Sequence, residues 1–96
     1  MKSYNEDFSH FHQKPTFGTG VYIASSANIM GNVVLGNDVS VWFQVVIRGD
    51  INQIIIGDGT NIQDGTVVHV ADQYSVQLGK NVVVGHQATI HACEIG

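Results

Sequence analysis

Basic residues are scarce: the 96-residue chain has four Lys plus Arg against eight Asp plus Glu, a formal charge of −4. No basic stripe of the kind that grips a phosphate backbone is present, so nucleic acid is excluded as a partner. Long apolar runs are missing too. None approaches the roughly 20 residues that span a bilayer, so no membrane segment is expected, and the polar start MKSYNEDFSHFHQK lacks a signal peptide's apolar segment. A cytoplasmic location is the expectation. The one cysteine, Cys93, forms no internal disulfide and reads as a small inward-facing side chain in a reducing compartment. Leucine occurs twice and proline once, whereas Gly, Asn, Val and Ile abound, an odd composition for a helical protein. So short a chain is one domain with a modest core, and association with further copies is expected.

What the chain does have is a repeat. From Ile23 it divides into hexads: IASSAN, IMGNVV, LGNDVS, VWFQVV, IRGDIN with three extra residues, IGDGTN, IQDGTV, VHVADQ with four extra, LGKNVV, VGHQAT and IHACE. Every hexad opens on Ile, Leu or Val, and its fifth place is mostly Ala, Val or Thr. A period of six fits neither an amphipathic helix nor hairpins with two-residue turns. It fits a parallel β-helix of triangular cross-section, with opening aliphatics stacked inside and Asn and Gly at corners that need unusual backbone angles. The pattern resembles the left-handed β-helices of hexapeptide-repeat proteins. That resemblance covers about residues 21–96, implies an all-β fold of about four coils, and supplies the left hand, which strand-crossover preference alone would reverse. Residues 1–20 show no repeat and read as a loosely docked N-terminal arm, in which His10 and His12 are a weak candidate metal tract.

Three hexads per coil put Met30, Arg48, His69 and His91 in one vertical column, each one place after its opener. Adjacent coils lie about 4.8 Å apart, so His69 and His91 point the same way from neighbouring rungs and can share one ion. Their separation of 22 becomes one coil of 18 once the four inserted residues are subtracted. His86, five residues before His91 in VGHQATIHAC, falls on the preceding face above Asp64 and Phe43. Five extended residues around a corner span roughly 12 to 16 Å, too far for both to bind one ion within a chain. A neighbouring chain packed around a threefold axis would bring its own His86, closing a three-histidine site with the fourth position open to water, as in catalytic zinc centres. On spacing alone, a plain ladder of exposed imidazoles stays equally open.

The segment IRGDINQIIIGDGTNIQDGTVVHV followed by VGHQATIHAC resembles the γ-class carbonic anhydrase family. Three motifs match in order: RGD at Arg48 to Asp50, NIQDG at Asn61 to Gly65 with His69 after it, and GHxxxxH at Gly85 to His91. The resemblance implies that His69, His86 and His91 bind one divalent metal per site, zinc foremost with iron or cobalt as alternatives, at the interfaces of a homotrimer. It implies reversible hydration of carbon dioxide to bicarbonate by a metal-bound hydroxide, with Gln63 hydrogen-bonding the metal-bound solvent. Arg48, Asp50 and Asp64 match an interface network beside the metal, although an inter-chain salt bridge for Arg48 and Asp64, or a turn cap for Asp50, would use the same residues.

Two departures from that family are visible. The stretch between His69 and His86 is short, and Asp72 is its one acid, where the best-studied type carries an acidic loop that exports the proton. Short-loop members are often weak or silent as carbonic anhydrases. The chain also stops as another coil begins, leaving an open β-helix end where family members continue, which reads as a fragment. Two other functions use the same fold: acyl transfer with one histidine as general base and no metal, and a non-catalytic, metal-binding trimeric scaffold.

Overall fold

The computed structural model describes residues 13–70, 75–91 and 94–95; His10, His12, Asp72 and Cys93 lie outside the described residues. Strands follow in order as β1 (Thr16–Phe17), β2 (Tyr22–Ile23), β3 (Asn28–Leu35), β4 (Ser40–Val41), β5 (Val46–Ile56) and β6 (Asn61–Ile62). They continue as β7 (Val67–His69), β8 (Val76–Leu78), β9 (Val83–Val84), β10 (Thr89–His91) and β11 (Glu94–Ile95). Among the described residues there is no helix, and so none long and apolar enough to cross a membrane.

All pairings are parallel and join residues about one coil apart. One face carries β2, β4, β6 and β9, which align Ile23, Val41, Ile62 and Val84. The next aligns Ile29, Ile47, Val68 and Ile90, from β3, β5, β7 and β10. The third aligns Phe17, Leu35, Ile56, Leu78 and Ile95. The eleven hexad openers therefore stand in three vertical columns. From Leu35 to Ile90 each opener is at most 6% exposed, and the fifth-place residues Val33, Val39, Val45, Thr60 and Thr66 are buried beside them. Each buried Val, Leu or Ile contributes about 1.5–3 kcal/mol, and these two inward positions per hexad are where the core comes from.

The remaining four positions of each hexad turn the corner. Asp38, Gly59 and Asn81 follow Gly20 at one edge, all with φ between 57° and 73°; Gln44, Gly65 and Gln87 do so at another, with φ between 55° and 74°. These left-handed corners are tied rung to rung by Gly59 N–H donating to Asn37 O and Asn81 N–H to Asp58 O, each at 2.8 Å. Side chains lock the same edge: Thr19 N–H donates to Asn37 Oδ1 at 2.9 Å, and Asn37 N–H to Asp58 Oδ1 at 2.8 Å.

The sheet starts earlier than the repeat suggests. Thr16–Phe17 lies within the segment expected to be an arm, yet pairs with Val34–Leu35. FGTGVY is itself a hexad, with Gly20 at the left-handed corner and Val21 packed on the core. Its aromatic opener, Phe17, is 51% exposed and disguises it. The three extra residues after Arg48 enter at the third corner, where register moves from Gly31 opposite Gly49 to Val33 opposite Ile54, a step from 18 to 21 residues.

Candidate functional site

The corner that absorbs the three extra residues builds the first half of the site. Met30, Arg48, His69 and His91 stand in register on β3, β5, β7 and β10, and His91 is described by that backbone register alone. Gly49 and Gly31 oppose each other just beyond Arg48, where a Cβ on Gly49 would lie 2.6 Å from the Asn32 carbonyl oxygen. Asp50, the next residue, is buried to 4% exposure.

Asp50 then serves two neighbours. Its Oδ2 lies 3.2 Å from Arg48 Nε, and its Oδ1 lies 3.4 Å from His69 Nε2. Oδ1 is buried and accepts no hydrogen bond among the described residues. Arg48 Nη2 reaches His69 at 3.0 Å from Nε2 and 3.4 Å from Nδ1. Close to both nitrogens of one ring, Nη2 lies over the ring face, where a guanidinium stacks on His69. The Asp50 carboxylate places a buried negative charge beside that ring. The donor chemistry at His69 fits a divalent ion such as zinc.

Gln63, Asp64 and His86 form the second half on the preceding face. They line a shallow groove of about 300 Å³ together with Trp42, Phe43 and Asn61. Phe43, Asp64 and His86 stay in step because Gly65 N–H donates to Phe43 O at 2.9 Å and Gln87 N–H to Asp64 O at 2.8 Å. Trp42 packs on Tyr22, ring centroids 4.9 Å apart, and meets Phe43 edge-on at 6.1 Å. Asn61 Oδ1 is buried in the groove wall and accepts no hydrogen bond among the described residues. Trp42 and Asn61 were missed as site residues, although Trp42 holds the same place after its opener as Gln63. Among the described residues no three His, Cys, Asp or Glu side chains converge as one ligand group. The chain thus presents two partial sets of candidate site residues on successive faces.

No family profile matches the chain. Individual relatives do. It is 43% identical over 91 residues to the mitochondrial gamma carbonic anhydrase 2 of Arabidopsis thaliana, a match covering 88% of this chain and 33% of that protein. To a probable carbonic anhydrase of Methanocaldococcus jannaschii it is 49% identical over 75 residues, 78% of this chain and 47% of the relative. The chain belongs to the γ-class carbonic anhydrase-like family of hexapeptide-repeat proteins. A crystal structure from the wider family, a hexapeptide transferase family protein of Anaplasma phagocytophilum, matches with a TM-score of 0.78 at 42% identity, covering 83% of this chain and 46% of that one. The coil is the left-handed β-helix of this family. Against these curated relatives the chain spans between a third and a half of their length.

Proposed function

We propose that the chain is a γ-carbonic anhydrase-like subunit that forms homotrimers and hydrates carbon dioxide reversibly to bicarbonate with one divalent metal, zinc foremost, at each interface. The observation that supports this is the division of site residues: His69 and the register position of His91 on one face, His86 with Gln63 on the preceding one. Two copies side by side would join the halves. His69 and His91 of one chain and His86 of its neighbour would hold the metal.

When bound, a divalent ion would supply Lewis acidity that brings the pKa of water down to near neutrality. The residues of the chain do the rest. Asp50, buried and paired with Arg48, would set a negative charge beside the His69 ring. Gln63 offers the groove an amide with both donor and acceptor, able to orient water or the oxygen of a small substrate. Trp42 and Phe43 give that groove an apolar wall, which suits an uncharged linear substrate and limits bulk water.

Metal analysis combined with mass in solution, followed by a carbon dioxide hydration assay, tests this. A trimer with about one divalent ion per chain and chelator-sensitive hydration is expected. A metal-free monomer with all three histidines intact would overturn it. The Bacillus subtilis relative YtoA, 36% identical over 88 residues, is named an uncharacterized transferase, which supports group transfer as the second reading, taken here as acyl transfer. Metal content separates that from hydration, and absence of hydration in a metal-loaded trimer would point to the scaffold.

A further inference from the structure

The tripeptide Asp-Gly-Thr occurs twice, at Asp58 to Thr60 and at Asp64 to Thr66. Both copies turn a corner with nearly the same backbone: Gly59 has φ 73° and Gly65 φ 74°, and Thr60 and Thr66 are buried. The glycine amides are engaged alike, Gly59 N–H donating to Asn37 O at 2.8 Å and Gly65 N–H to Phe43 O at 2.9 Å. The carboxylates differ. Asp58 is half-buried, and its Oδ1 accepts the Asn37 N–H at 2.8 Å. Asp64 is exposed, and among the described residues no hydrogen bond or ion pair holds its carboxylate.

We propose that Asp64 is a site of spontaneous isoaspartate formation, a reaction that the fold suppresses at Asp58. Aspartate before glycine is prone to it, because no Cβ shields the glycine nitrogen. The Gly65 nitrogen bonds to Cγ of the protonated Asp64 carboxyl, the Cγ–OH bond breaks, and water leaves with the amide proton, closing a succinimide. Water then opens the ring at either carbonyl. Opening at the main-chain carbonyl routes the chain through Cβ and Cγ, adds one methylene to the backbone and frees the former main-chain carboxyl as a carboxylate. No oxidant or other reactant is needed. The Asp64 carbonyl oxygen is the one that Gln87 N–H reaches at 2.8 Å, so the product loses a tie between rungs beside His86, in the groove that Asp64 lines. The chemistry requires neither metal nor trimer.

The test ages the full chain in its native state, at physiological temperature and mildly acidic pH, and in parallel unfolded in urea. Isoaspartate is counted in peptides by fragmentation that distinguishes the two backbones, and by methyl transfer from labelled S-adenosylmethionine with an isoaspartyl methyltransferase. Asp58 must first give up one hydrogen bond to a charged acceptor, so Asp64 should react about tenfold faster in the native chain. In urea only the shared tripeptide acts, and the two rates should be alike. Asp64→Glu should remove the faster signal, because the larger ring closes far more slowly, and Asp58→Glu should leave it. Equal native rates at the two sites, no isoaspartate at Asp64, or the same excess persisting in urea would overturn the proposal.

Discussion

Gly49→Ala should destabilise the fold at the corner that positions the site. A Cβ there would lie 2.6 Å from the Asn32 carbonyl oxygen, 3.0 Å from its carbon and 3.2 Å from its nitrogen. All three are backbone atoms and cannot rotate away. Carbon–oxygen contacts settle at about 3.3 Å or more, so two rungs normally about 4.8 Å apart must open by roughly 0.7 Å. Gly49 is absent from the positive-φ positions, so alanine meets no dihedral strain and the penalty is contact alone. Overpacking of this kind costs about 1–3 kcal/mol. Gly85→Ala is the matched control, since a Cβ there has nothing within 4 Å. Urea unfolding at fixed protein concentration should lower the Gly49→Ala midpoint by about 1 M and leave Gly85→Ala close to wild type. Equal midpoints for the two variants would show that the rungs are not in the contact described.

Other perturbations have separate readouts. Ile62→Ala removes a side chain with no exposure from the central column and should cost about 2–5 kcal/mol in the same unfolding assay. Thr60→Val should cost about 1–3 kcal/mol, because Thr60 Oγ1 donates to Gly79 O at 2.6 Å and accepts from Val82 N–H at 3.2 Å in a buried setting. His86→Ala and His91→Ala should each abolish bound metal, measured by elemental analysis, while far-ultraviolet circular dichroism stays that of wild type.

Much of the architecture could be read from the chain because a solenoid is locally coded. Leu35, Ile56 and Leu78 open their hexads and lie in one column, and subtracting the inserted residues predicts which residues face one another on successive rungs. The same arithmetic aligns His69 with His91. Features that depend on shape were less legible. FGTGVY was passed over because its opener is aromatic and half-exposed. Gln44 and Gln87 adopt left-handed corners that glutamine rarely favours, because their rungs must stay in step with Gly65 between them. The Asp50 bridge to Arg48 and His69 arises from a backbone turn between two opposed glycines, and no residue spacing announces it. Trp42 and Asn61 join the groove through the curvature of the face.

Mixing two defective chains tests the division of each site between neighbours. His69→Ala and His86→Ala, each purified alone, should hold no metal. Unfolded together in equal amounts and refolded, they should give about three mixed trimers in four, each with one of its three interfaces pairing an intact His69 with an intact His86, restoring about a quarter of wild-type metal overall. Mixed trimers, verified by an affinity tag carried on one variant alone, that hold no metal would contradict a site shared between chains, as would full metal retention by either variant alone.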